Sequence, residues 1–432
     1  MFSTLRTFAH GHVRLLAVLA CIGILAVAFF FYVALFVHTG TPAPISLDGE
    51  LVAGTPGFVK TFSNVTNSPI EQGSPVSILN NGAAFVPDLI TEIQHASSTI
   101  DFSTYIWEDG TFSVRVLEAL TAAARRGVVV RLLLDGISGS PPEKERAELV
   151  TAGGHAAVFH SVFDDPFSAD NRNHRRAIVI DNRVGYIGGI AIADSWLGNG
   201  KKKDEWRDTM FKLTGTMAQS LDRSFVDQWL DTTGEIITAP QPVSNVAPPT
   251  NTFVEVVGSA GDKNRPIAAS FLLTALSAQK SLYITNPYVF PDNALRDVLE
   301  EKAKSGVDVR ILVPGPNTDG PVVRWASQYY YQDLLDAGVR IYEYQPTLMH
   351  EKAMVADGVW SLIGSANIDN RSAELNDENV MGIQDPSLAH ALVDTFNSDL
   401  KNSAEIGADA WRHRSILHRV LSWVMSIPFK QY

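Results

Sequence analysis

His174-Arg175-Arg176-Ala177-Ile178-Val179-Ile180-Asp181 and His350-Glu351-Lys352-Ala353-Met354-Val355-Ala356-Asp357 share one frame: a histidine, any residue, a cation, four residues and an aspartate. A Gly-rich return follows each, Gly188-Gly189 in the first copy and Gly364-Ser365-Ala366-Asn367 in the second. One such match carries little weight, because short patterns arise by chance. Two matches at equivalent places in a repeat are different, and the flanking sequence makes the places equivalent.

Upstream of the first copy, Ile100 to Trp107 is an apolar run, Val114 to Arg126 is helical in pattern, and Gly127-Val128-Val129-Val130-Arg131-Leu132-Leu133-Leu134 is a strand signal. Upstream of the second, Leu282 to Phe290, Asn293 to Ser305 and Gly306-Val307-Asp308-Val309-Arg310-Ile311-Leu312-Val313 repeat that series. Glycine at a helix end followed by a β-branched run is the pattern of an α/β unit. A further helix and strand, Val323 to Ala337 and Val339 to Tyr344, lead to the second histidine. The expected fold class is α/β, with two similar halves related by a pseudo-twofold axis.

In the second copy Met349 to Ala356 reads as a strand and Asp357-Gly358 as a turn. A strand places His350 and Lys352 on one face. The return then brings Ser365 to Asn367 beside His350; Asp181-Asn182 and Gly188-Gly189 do the same for His174. Such a site suits a phosphodiester. Arg176 and Lys352 hold its non-bridging oxygens and stabilise transition-state charge. One neutral histidine attacks phosphorus, and the other protonates the leaving oxygen and then deprotonates the incoming hydroxyl. No metal or other cofactor is needed, and no Cys/His cluster has metal-ligand spacing. The candidate catalytic set is His174, Arg176, Asp181, His350, Lys352 and Asp357, the two aspartates having a structural role at the turns as their alternative. Gly189, Asp208, Ser365, Asn367 and Glu378 are candidates for phosphate contact or support. Asp208 and Glu378 follow their hairpins at similar intervals and are the carboxylates expected to orient the imidazoles.

The chain has 432 residues and a formal charge of -12, which argues against a nucleic-acid partner. No residue from Leu15 to Val37 is charged, and that run is long enough to cross a bilayer as a helix. Arg6 and Arg14 precede it, so the positive-inside rule sets the N-terminus in the cytoplasm and the catalytic part outside. The expected organisation is a membrane anchor over 1–38, a Pro/Gly/Ser/Thr-rich linker over 39–75, a first half over 76–237, a second linker over 238–252, a second half over 253–403 and an amphipathic tail over 404–432. In the tail, Ile416, Leu417, Val420, Leu421, Val424 and Ile427 recur at helical spacing among arginines; this segment either lies in a membrane interface or docks on the core.

From about residue 76 to about residue 400 the chain resembles the phospholipase D superfamily and, within it, bacterial cardiolipin synthases. The paired motifs carry the broader likeness. Asn173-His174-Arg175-Arg176, Trp206-Arg207-Asp208-Thr209, Val313-Pro314-Gly315-Pro316-Asn317-Thr318-Asp319, Arg340-Ile341-Tyr342-Glu343-Tyr344 and Gly364-Ser365-Ala366-Asn367-Ile368-Asp369 carry the narrower one. The resemblance implies two phospholipase D-like halves and a metal-independent transesterification through a phosphohistidine. Phosphatidylglycerol would be both donor and acceptor, with glycerol released, His174 the nucleophile and His350 the acid/base. It also implies phospholipid substrates at a bacterial cytoplasmic membrane. Two positions depart from the family pattern: the usual lysine is Arg176, and Ala191 stands where the second copy has Asn367. A hydrolytic phospholipase D is the alternative, differing only in which hydroxyl accepts. The acidic charge and the anchor count against a nuclease, and retention of both His/cation pairs counts against a silent scaffold.

Overall fold

The computed structural model describes residues 46–160, 170–238 and 248–427, with Ala20, Cys21, Gly23 and Ile24. The expected membrane span, Leu15 to Val37, otherwise lies outside the described residues. Among the described residues no helix is long and apolar enough to cross a membrane.

The strands among the described residues are, in chain order, β1 (Glu71–Gly73), β2 (Ser77–Asn80), β3 (Thr99–Thr104), β4 (Val129–Asp135), β5 (His155–Phe159), β6 (Arg172–Asn173), β7 (Ala177–Ile180), β8 (Val184–Gly188), β9 (Thr209–Thr214), β10 (Asn251–Gly258), β11 (Ser281–Thr285), β12 (Asp308–Pro314), β13 (Arg340–Tyr344), β14 (Ala353–Ala356), β15 (Trp360–Gly364), β16 (Asn376–Gln384) and β17 (Ser403–Glu405). One sheet runs β2-β9-β8-β7-β3-β4-β5. The other runs β1-β10-β16-β15-β14-β11-β12-β13-β17, with β6 attached to β16. Its stretch from β10 to β13 repeats the order of the first sheet strand for strand. The internal repeat is therefore a repeat of topology. In each half, helices (Thr111–Arg125, Asn293–Lys304) link the parallel strands, and each helix hands over to its strand at a left-handed glycine, Gly127 or Gly306.

The motif hairpins β7–β8 and β14–β15 occupy the middle of the sheets. Asp181-Asn182 and Asp357-Gly358 all have positive φ, as a primed turn demands. Both faces of these strands are buried. Ile178 and Ile180 point into the first half's own core, and Met354 and Ala356 into the second's. The alternate residues Ala177, Val179, Ala353 and Val355 meet in one apolar cluster shared by both halves. That shared cluster fixes the halves against each other beneath the two histidines.

Three expectations about organisation need correction. The stretch 39–75 is no linker from Ser46 onward: it contains the helix Pro56–Thr66 and β1. Thr55 caps that helix, with Pro56 in its first turn. Phe58 and Phe62 meet the Trp360 ring at 4.8 and 5.0 Å, and β1 pairs with β10. Burial of each phenylalanine stabilises by about 1.5–3 kcal/mol, so this early segment is part of the second half. The predicted helix Val323 to Ala337 is two, Pro321–Ser327 and Tyr331–Ala337. The tail begins inside the sheet, because β17 pairs with β13; the helices Ala408–Arg412 and Ile416–Ser426 then lie on the second half.

Candidate active site

Cross-half strand pairing places both histidines. β6 runs parallel to the start of β16, and the His174 N–H donates to the Asp377 carbonyl at 3.0 Å. A bridge between Arg207 and Met349 does the same in the other copy, with the His350 N–H donating to the Arg207 carbonyl at 2.7 Å. The strand expected from Met349 therefore begins only at Ala353, since the backbone before it is used between halves. His350 and Lys352 still meet: the ammonium lies 3.2 Å from Nε2 and donates to the His350 carbonyl at 2.9 Å.

The carboxylates cross over as well. His174 Nδ1 pairs with Glu378 Oε1 at 2.7 Å, and His350 Nδ1 pairs with Asp208 Oδ2 at 2.7 Å. Each imidazole is oriented through Nδ1 by an acid from the opposite half, which turns Nε2 away from that acid, in His350 toward the Lys352 ammonium. Asp208 is held in turn by the Trp196 indole N–H at 2.8 Å and the Thr209 N–H at 2.7 Å. Glu378 accepts from Ser365 Oγ and from Asn376 Nδ2. Ser365 thus serves His174, through Glu378, and not His350 as its own hairpin suggested.

The variable residue of each motif locks the same interface with its charge reversed. Arg175 lies 3.6 Å from Asp377, the residue before Glu378. Glu351 lies 2.9 Å from Arg207, the residue before Asp208. All four are buried, so losing either arginine would take from a buried acid its cationic partner.

The cations differ in how they are held. One Arg176 nitrogen donates to the His174 carbonyl at 2.7 Å, and the guanidinium lies 5.5 Å from the Tyr105 ring centre. Nε and the second terminal nitrogen of Arg176 are buried without a hydrogen-bond partner among the described residues. Two aimed, unsatisfied donors beside two imidazoles are what a phosphate would satisfy. Burial lowers the pKa of this guanidinium, with Glu378 and Asp208 opposing, yet it stays charged. Burial pushes the Lys352 ammonium down to about 7 in the ligand-free site, against the pull of Asp208.

The two imidazoles are electrostatically unequal. Burial, followed by the charges of Arg176 and Lys352, holds His174 well below the ordinary imidazole value. Its partner Glu378 is pushed up by burial to about 7. His350 is lowered too, by burial and then Lys352, but Asp208 works against this. Burial alone would raise Asp208; the charge and hydrogen bond of His350 outweigh it and hold the carboxyl below its usual range. His350 therefore faces an ionised acid, and His174 one that burial drives toward its neutral form.

Asp181 and Asp357, placed among the catalytic residues by their motif position, serve the fold. Asp181 accepts from the Ser97, Ser98 and Thr99 N–H groups, and Asp357 from those of Gln279, Lys280 and Ser281. Each carboxylate pins its hairpin turn to the chain entering β3 or β11. Gly189 packs against Asp208: a Cβ there would sit 2.3 Å from Asp208 Oδ1. Asn367 is buried, its N–H donating to Ser372 Oγ and its Oδ1 lacking a partner among the described residues. Sequence reasoning gave no role to the rings around the imidazoles: Tyr105 on His174 at 4.7 Å, and Trp196 and Trp206 on His350 at 5.5 and 5.3 Å. Nor did it assign Asp319 or Arg371, whose charges reach Lys352 and His174, or Tyr288, whose hydroxyl donates to Asp319. Aromatic residues just beyond the equivalent strands β3 and β11 were the available signal for Tyr105 and Tyr288.

Comparison with known proteins agrees with this geometry. Residues 89–226 and 272–400 match the family model described as cardiolipin synthase, PLD-like domain. The chain is 32% identical over 375 residues to a cardiolipin synthase of Clostridium perfringens, covering 84% of this chain and 78% of that one. It is 31% identical over 407 residues to cardiolipin synthase 1 of Bacillus anthracis, covering 90% and 78%. Among solved structures, the phosphatidylserine synthase of Haemophilus influenzae superposes with a TM-score of 0.69 at 14% identity, over 87% of this chain and 100% of that one. At that identity the likeness speaks for the fold alone.

Proposed function

The chain belongs to the cardiolipin synthase family of phospholipase D-like proteins and is an enzyme of that superfamily, and on that premise we propose that it moves a phosphatidyl group from one phosphatidylglycerol to another. The observation that carries the reading is the pair of cross-oriented imidazoles facing the unsatisfied donors of Arg176. His174 is the nucleophile. Burial and then the surrounding cations keep it unprotonated, its Nδ1 is held by Glu378, and Nε2 attacks phosphorus. The bond to the departing glycerol oxygen breaks as the N–P bond forms, and His350, whose protonated form Asp208 favours against burial and Lys352, delivers the proton to that oxygen. His350 then removes the proton from the acceptor hydroxyl, whose oxygen displaces His174 and completes cardiolipin. Arg176 and Lys352 bind the non-bridging oxygens; the incoming negative charge stabilises the charged form of Lys352. The uncharged run Leu15 to Val37 supports a single-pass anchor in a bacterial cytoplasmic membrane, with the catalytic part on the extracytoplasmic face.

The test is incubation of the purified protein with labelled phosphatidylglycerol in mixed micelles, followed by separation of the lipids. Cardiolipin and glycerol are expected, both lost in His174→Ala and His350→Ala. Phosphatidic acid alone would make water the acceptor and the protein a phospholipase.

A further inference from the structure

The C-terminal helix Ile416–Ser426 has its faces reversed relative to an ordinary surface helix, which turns its apolar stripe to the core. Ser422 and Ser426 point inward and are 1% and 0% exposed, their hydroxyls donating to the His418 and Trp423 carbonyls. Ile416, Leu417, Val420, Trp423, Val424 and Ile427 are exposed, the first two by 79% and 68%. This arrangement is fixed by contacts. His418 Nε2 lies 3.1 Å from Gln328 Oε1, and the His418 ring lies against Trp325 at 4.5 Å and Trp411 at 5.2 Å.

Charge and position narrow what the outward face meets. Arg419 is exposed among these apolar residues, and from His413 to Tyr432 the sequence has no Asp or Glu, in a chain of formal charge -12. Such a cationic apolar surface is complementary to anionic lipid. An indole at its edge suits the headgroup boundary, and a helix of 11 residues is too short to span. The helix beneath it, Pro321–Ser327, starts at the active site: Tyr288 donates to Asp319 at 2.6 Å, and the Asp319 charge reaches Lys352. Val322 on that short helix is exposed as well.

We propose that the outward face of Ile416–Ser426 is a docking surface for an anionic phospholipid bilayer, set beside the mouth of the active site so that the site opens onto the membrane plane. The proposal rests on the reading that the substrates are membrane phospholipids. It supplies a contact distinct from the N-terminal segment, one that sets the orientation of the catalytic unit.

The test uses the full chain reconstituted into phosphatidylcholine vesicles with and without phosphatidylglycerol. Brominated acyl chains are expected to quench Trp423, seen as a quenched component present in the wild type and missing in Trp423→Phe, and larger when phosphatidylglycerol is present. Equal quenching of both proteins overturns the proposal. In a second arm, the Leu417→Glu/Val420→Glu variant is expected to lose activity several-fold on bilayer phosphatidylglycerol and to keep it on a dispersed short-chain form. Equal loss on both forms, or a fall in oligomer mass marking the face as a contact between copies, overturns it too. The quenching arm needs no turnover, so a wild type inactive on every phospholipid would sink the proposed reaction and leave this measurement to decide the docking face.

Discussion

Glu378 and His174 stand 204 residues apart in sequence, on different halves of the chain, and their side chains meet at 2.7 Å. The carboxyl lies in β16 of the second sheet, whereas the imidazole stands between β6 and β7 of the first half. This contact aims the ring of the proposed nucleophile. Glu378→Gln keeps the shape and removes the charge, so the ring loses its orientation with little change to packing. Turnover is expected to fall on the order of 10²–10⁴-fold, the range for losing an orienting acid behind a catalytic histidine. Unchanged turnover with an unchanged melting temperature would remove Glu378 from the mechanism.

Gly189 tests the other pair. A methyl there would overlap the Asp208 carboxylate at 2.3 Å and push it off His350. Gly189→Ala is expected to cut turnover by about 10²-fold, as displacements near 1 Å do, while the fold persists. The check is steady-state kinetics beside circular dichroism.

Lys352 gives a pH signature. With burial holding the ammonium at about 7, the free site loses this charge as pH rises through that value. Phosphate binding therefore weakens on the alkaline side, and kcat/KM is expected to decline above about pH 7. Lys352→Arg keeps its charge at every working pH, so the variant, whatever its absolute rate, should show that alkaline decline shifted away. An identical alkaline limb in both proteins would assign it to another group. For folding the sign is opposite: the lowered pKa favours the native state as pH rises from about 7 toward the ordinary lysine value, because only the unfolded chain keeps the proton there.

Asp357→Ala separates motif position from chemistry. Its carboxylate accepts three N–H groups before β11. Their loss at a partly solvated turn is expected to cost about 1–3 kcal/mol of stability. Turnover per folded molecule should hardly change. A loss of turnover without loss of melting temperature would return Asp357 to the catalytic set.

The local features of the site were legible because they recur within short windows. The histidine, the cation, the primed turn and the glycine return all fall inside one hairpin, and duplication separates them from chance. The acids could be picked out by their matching intervals. Which histidine each acid serves was not legible, because the pairing depends on how two hairpin faces meet through Ala177, Val179, Ala353 and Val355. Residues 46–73 were misread for a related reason. Their Pro/Gly/Ser/Thr content signals linker, although Phe58, Val59, Phe62 and Thr66 already had helical spacing behind a Thr55-Pro56 start. What orders them is Trp360, about 300 positions further along the chain, and contacts at that separation leave no local trace.

The reciprocal exchange of carboxylates means that neither half is a self-sufficient catalyst. A solitary copy would carry an imidazole without its acid, so the smallest working unit is a pair. Two identical copies would surround both acids with the same residues. Joining the copies in one chain lifts that restriction. One side can then drift to Asp208 with Gly189, and the other to Glu378 with Ser365, so that the resting charge is divided unevenly. On the proposed roles, fusion thereby turns two equivalent imidazoles into specialists, and damage to either half would disable the chemistry of the other.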